Sequence, residues 1–228
     1  MRNLKKFLAL VLAMMMAMSL MITANAANEA DNATSKYPDG DSVTPAFAEA
    51  VDVLSGMGVF KGRDTGDFAP ADTITRAETA AIIYRLMTAD VTDAQADLFR
   101  NVTHPFTDVK PSDWYAGYIG FLWNAGIIKG QTATTFNPYG KVTGYEALAM
   151  ILRAVGYDQN HEFEGTNWVV NVASIAQRKG ILKDVESANY GGPYLYSAAR
   201  RDVVASLLFR TAAFVPQVIY TNAFQYTE

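Results

Sequence analysis

Apolar positions recur at helical spacing in short stretches along this chain, and one such stretch returns. From Ile74 to Met87 the sequence reads ITRAETAAIIYRLM, with Ala81, Ile82 and Tyr84 on a mostly apolar stripe. Thr75 suits an N-cap, and Glu78, three residues on, can reach back to the cap N–H, which makes a capping box. Val142 to Arg153 (VTGYEALAMILR) repeats the pattern with Thr143 and Glu146. A worn third copy, RRDVVASLLFR, runs from Arg200 to Arg210. An arginine follows the cap position by ten residues each time, at Arg85, Arg153 and Arg210.

Each of these stretches is preceded by a second helical pattern. Phe47, Ala50, Val51, Val53 and Leu54 predict a helix opening near Pro45 and stopped by Gly56-Met57-Gly58. Trp114 to Asn124 and Trp168 to Lys179 predict the other two. A short extended piece and a loop follow. Gly58-Val59-Phe60-Lys61-Gly62 matches Gly126-Ile127-Ile128-Lys129-Gly130, and Phe68-x-Pro70 matches Phe136-x-Pro138. In both units the cap Thr stands 17 residues after the first Gly. Gly180 to Asp184 is the third version, with Lys183 in the lysine position. An internal repeat is therefore expected, over 44–88, 106–157 and 163–214. One helix pair cannot bury its apolar faces alone, so the units must pack on each other.

The ends read differently. Arg2, Lys5 and Lys6, an apolar run from Phe7 to Ile22, and Ala24-Asn25-Ala26 predict a secretory signal peptide over 1–26. That run is 16 residues, short of the roughly 20 that a spanning helix needs. No stable membrane span is expected after its removal. Residues 27–43 read as a flexible leader, and 215–228 as an extended tail, possible start of a further module. Without Arg2, Lys5 and Lys6, 16 Lys and Arg face 23 Asp and Glu, a net charge of −7. That argues against nucleic acid as a partner. With no cysteine, disulfides and thiolate metal sites are excluded. The two histidines, His104 and His161, are far apart, and no carboxylate pair is singled out for glycoside hydrolysis. No catalytic residue, metal or cofactor is expected.

The units resemble S-layer homology (SLH) domains. The family pattern is an early F-x-D-V and Trp, then G-[IV]-x-x-G, F-x-P and a [IV]-T-R-A-E helix start. Ile74-Thr75-Arg76-Ala77-Glu78 carries that start in the first unit, which lacks the leading F-x-D-V and has Ala46 at the Trp position. The second unit carries Phe106-x-Asp108-Val109 and Trp114 but has Gly144 for Arg; the third keeps Trp168 and Arg201. The resemblance implies a mainly α fold, three helix–loop–helix repeats packed as a pseudo-threefold spindle around a central three-helix bundle. It also implies non-covalent anchoring of an exported protein to the bacterial cell wall. The expected partner is secondary cell-wall polysaccharide, typically pyruvylated, held in grooves between units. The second reading is a protein–protein or self-assembly module that meets other surface-layer proteins.

The candidate binding residues are Arg76, Arg201, Thr75, Glu78, Trp114, Trp168, Lys61 and Lys129. Thr75 and Glu78 are accounted for by the capping box. At the first helical position a cation is disfavoured by about 0.3–1 kcal/mol, so Arg76 calls for an anion. Helix-start N–H groups and a guanidinium fork suit a carboxylate; an Asp such as Asp72 is the alternative. Trp114 and Trp168 either fill the core or stack on sugars. Lys61 and Lys129 are loop ends with groove contact as the alternative.

Overall fold

The computed structural model describes residues 36–214. The expected signal peptide, most of the leader and the tail lie outside them. The fold is mainly α. Its helices are α1 (Ala48–Gly56), α2 (Arg76–Thr88), α3 (Ala116–Asn124), α4 (Gly144–Ala154), α5 (Trp168–Arg178), α6 (Lys183–Ser187) and α7 (Arg201–Phe214). Among the described residues β pairing is confined to three isolated antiparallel bridges.

Local chemistry sets the helix boundaries. At α2 the Thr75 hydroxyl accepts from the Glu78 N–H, and Glu78 Oε2 accepts from the Thr75 N–H at 2.8 Å. Thr143 and Glu146 do the same at α4. Gly58, Gly126 and Gly180 follow α1, α3 and α5 with φ of 74°, 73° and 69°. This left-handed turn favours glycine, which explains the repeated stop. The expected extended pieces at Val59-Phe60 and Ile127-Ile128 form no strand; both are buried. The third unit departs from the expectation, since α6 stands where the extended piece was expected.

The helices are interleaved. α1 packs on α7, α3 on α2, and α5 on α4, so helices distant in sequence cover one another. α4 in turn packs on α2 and α7. Between them lie Ile83, Leu148, Leu152 and Leu207, all fully buried. Each such side chain contributes about 1.5–3 kcal/mol by burial. The segments that lead into the capped helices close a ring. The Ile74 N–H donates to Ala199 O, Ala199 N–H to Val142 O, and Val142 N–H to Ile74 O, at 2.8–3.1 Å. A hydrogen-bonded ring of three, made by residues 68 and 57 apart in sequence, fixes how the helix starts face one another.

One expectation is corrected at the end of the leader. Tyr37 and Val43 are buried, and both Asp39 carboxylate oxygens accept backbone N–H bonds, from Phe68 and Ala69. Asp108 does the same for Phe136 and Asn137. Tyr37 packs on Phe68 with ring centroids 5.4 Å apart, and Phe106 on Phe136 at 5.5 Å. Tyr37-x-Asp39 is thus the first unit's counterpart of Phe106-x-Asp108, disguised by Tyr for Phe and Gly40 for Val. Ala69 and Asn137 both adopt positive φ, 55° and 58°, which aligns the two N–H groups on one carboxylate.

Candidate functional site

Two grooves run between units. Groove 1, about 470 Å³, brings together Lys61, Arg63, Glu78 and Arg85, Trp114 from the turn just before α3, and Arg201 from α7. Groove 2, about 360 Å³, brings together Lys129, Gln131, Glu146 and Arg153 from the second unit, Trp168 from α5 and Arg76 from α2. The correspondence holds position by position. Seven of the eight candidate residues line a groove; Thr75 does not and serves as the α2 cap. Arg76 and Glu78 start the same helix yet face different grooves.

The arginines at the helix starts are clamps between units. Arg76 Nε donates to Phe136 O at 2.8 Å and Nη2 to Lys129 O at 2.9 Å, with the guanidinium 4.6 Å from the Phe136 ring centroid. Arg201 repeats this on Phe68 O and Lys61 O, both at 2.9 Å, and lies 5.2 Å from the Phe68 ring. Both side chains are buried, and burial lowers both guanidinium pKa values; Glu146 and Asp108 oppose this at Arg76, and Glu78 at Arg201. Asp72, the aspartate considered for Arg76, meets Arg63 at 3.5 Å instead. The helix-start N–H groups are already taken: Arg76 and Ala77 donate to Gly140 O and Pro138 O, and Arg201 and Asp202 to Asp72 O and Pro70 O. An anion in either groove must therefore be met by side chains.

Those side chains are the lysines and the outer arginines. Lys61 and Lys129 each use the carbonyl to hold an arginine, while the side chain stays more than a third exposed and the ammonium is ion-paired, with Asp93 and Glu164 respectively. Arg85 is held by Asp93 through two bonds of 2.8 and 2.9 Å, and Arg153 by Asp158 at 2.6 Å. Burial alone would lower the Arg85 pKa, but the bonds and charge of Asp93 outweigh it and raise the value. Burial would likewise raise the Glu78 carboxyl; bonds from the Thr75 N–H and hydroxyl, with Arg63 and Arg201 nearby, hold it below the ordinary range. Trp114 is about half exposed (47%) and Trp168 partly so, which offers each groove an indole. Arg63, Asp93, Asp158 and Glu164 were not among the candidates. The ten-residue arginine step did mark Arg85 and Arg153.

The third junction differs. Gly144 stands in the clamp position, and a Cβ there would lie 2.6 Å from Leu195 Cδ2. Leu195 is fully buried and fills the place of an arginine. Arg210 pairs with Asp184, as Arg85 does with Asp93. Among the described residues no group of three or more His, Asp or Glu is placed to share a metal ion, and no helix is long and apolar enough to cross a membrane.

Interleaved helix pairs with matching grooves at their junctions define an all-α repeat module. The family profile of the S-layer homology domain matches residues 36–80 and 105–148, so the chain carries two repeats of that domain. The first match takes in Tyr37 and Asp39, which agrees with their role above. The chain is 32% identical over 185 residues to the Middle cell wall protein of Brevibacillus brevis, covering 81% of this chain and 16% of that protein. It is 31% identical over 185 residues to the Surface layer protein of Brevibacillus choshinensis, covering 81% and 15%. It is 26% identical over 157 residues to Exoglucanase XynX of Acetivibrio thermocellus, covering 64% and 14%. The chain thus spans about a sixth of the length of these relatives.

Proposed function

We propose that this chain anchors an exported protein to the bacterial cell wall without a covalent bond, by holding secondary cell-wall polysaccharide in grooves 1 and 2. The observation that carries this reading is the duplicated constellation of one lysine, one clamped arginine, one aspartate-held arginine and one half-buried or exposed indole. Cations meet a carboxylate such as a pyruvyl ketal; the indole meets an apolar sugar face. The cell-wall and surface-layer relatives support a location at the cell surface. A stretch similar to this chain also occurs in a protein named as an exoglucanase, as expected of an anchor joined to different cargoes.

The 163–214 segment is, on this reading, a third and divergent repeat. The hydrogen-bonded ring at Ile74, Val142 and Ala199 supports an arrangement of the three units about a pseudo-threefold axis. Two grooves are then competent, and the junction at Gly144 is closed by Leu195. The test is co-sedimentation with purified wall sacculi, intact or stripped of secondary polysaccharide by mild acid. Binding only to intact sacculi is expected; equal binding to both overturns the reading.

A further inference from the structure

The two grooves are alike in plan but not in charge. In groove 1, Arg63 follows Gly62, and its guanidinium bonds Glu78 Oε1, which also lies 3.8 Å from Arg201. The Glu78 charge is thereby offset within the groove. In groove 2, Gln131 follows Gly130 and is bonded instead to the Asn137 amide at 2.7 Å. It brings no charge to offset Glu146. A second difference lies at the lysines. The carboxylate on Lys61 is Asp93, at 2.6 Å, which also holds Arg85. Lys129 has the matching Asp158 at 4.0 Å and, in addition, a direct ion pair with Glu164. Glu164 enters from the loop before α5, lines the groove, and is bonded to His161 Nδ1 at 2.9 Å.

We propose that Glu164 and Arg63 make the grooves selective for different saccharides, resting on the glycan reading above. Groove 1 takes an anionic, carboxylate-bearing sugar. In groove 2 Glu164 is a second carboxylate on Lys129, beside Asp158, so this groove favours a neutral N-acetylated sugar. Both lysines are already paired, Lys61 with Asp93 and Lys129 with Glu164, so the difference lies in the balance of the lining. Lys61, Arg63, Arg85 and Arg201 stand against Asp64 and Glu78 in groove 1, and Arg76, Lys129 and Arg153 against Glu146 and Glu164 in groove 2. Groove 1 thus carries one more lining cation than groove 2 toward an incoming carboxylate, supplied by Arg63 where groove 2 has Gln131.

The grooves can be read separately, because Trp114 lines the first and Trp168 the second. Trp123, packed edge-on against Phe106, serves as the internal reference. The experiment follows the three indole N–H resonances while titrating two probes: the methyl glycoside of a pyruvylated N-acetylhexosamine, and the same glycoside without the pyruvyl group. The pyruvylated probe is expected to shift Trp114 at lower concentration than Trp168, and the neutral probe to reverse that order. Glu164→Gln should tighten the pyruvylated probe at Trp168 by about 1.4-fold to fivefold, the range for a partly exposed ion pair, and leave Trp114 unchanged. Equal affinities at both indoles in the wild type, or no change at Trp168 in Glu164→Gln, overturn the selectivity while leaving glycan binding in place. No shift at either indole with either probe overturns the glycan reading and this inference with it.

Discussion

Replacing Arg76 with Ala should cost the fold, not only a ligand. The guanidinium donates to Phe136 O and Lys129 O across a unit boundary and lies 4.6 Å from the Phe136 ring centroid. Phe136 is fully buried, so its carbonyl would be left without a donor, at about 1–3 kcal/mol. The Lys129 bond is only partly buried and adds about 0.5–1.5 kcal/mol. The contact with the ring adds about 0.5–1 kcal/mol. Relief of the guanidinium's own desolvation offsets part of this, which leaves about 2–4 kcal/mol. For a domain of this size a loss of 3 kcal/mol corresponds to a Tm fall of about 6–12 °C. Urea denaturation followed by far-UV circular dichroism gives the value, with an unchanged m confirming that the same surface unfolds. Arg76→Lys should fall between, since it keeps the charge and loses the two-pronged fork. A loss under about 0.5 kcal/mol for Arg76→Ala, as at an ordinary surface position, would refute the clamp.

Other consequences follow from close approaches and charge. In α3 a Cβ at Gly120 would lie 2.2 Å from Phe99 O, so Gly120→Ala should destabilise by about 1–3 kcal/mol, read in the same urea titration. Gly144→Arg restores the family motif on paper but drives into Leu195; it should lower stability by about 1–3 kcal/mol and add no wall-binding capacity in co-sedimentation. The carboxyls of Glu78, Asp90 and Asp93 are all held below their ordinary pKa by bonds that outweigh burial. The unfolded chain then binds more protons in acid. Their stabilisation is complete above the unfolded values near pH 4 and is lost as pH falls through the lower folded values. Unfolding midpoints in urea should be flat above about pH 5 and fall below pH 4, and Asp93→Asn should flatten that fall.

Local features were legible in the sequence. The capping boxes at Thr75 and Thr143 depend on residues three apart, and the helix stops at Gly58 and Gly126 on a single backbone angle, so pattern alone revealed them. The partners of Arg76 and Arg201 were not legible, because the carbonyls they clamp lie 53 to 140 residues away and any residue supplies a carbonyl. The helix-start argument marked Arg76 as a cation in need of a partner, and its guanidinium donates to two backbone oxygens. Tyr37-x-Asp39 escaped notice because two of its family positions are substituted, though its chemistry is intact. Asp93, Asp158 and Glu164 lie in connectors with no periodic pattern, and only the folded path brings them to the grooves.

The central claim is that the grooves bind wall glycan through exposed side chains, and the arginines cannot test it cleanly because they hold the fold. Lys61 and Lys129 can. Their carbonyls clamp the arginines whatever the side chain, and their ammonium groups face the grooves. The most direct measurement is a binding isotherm of Lys61→Ala/Lys129→Ala on intact sacculi beside the wild type, with urea stability of both proteins. The account predicts stability within about 1 kcal/mol of wild type and wall affinity at least about tenfold weaker, chiefly through the loss of the Lys61 ammonium from groove 1. Unchanged affinity in a folded double variant would contradict it.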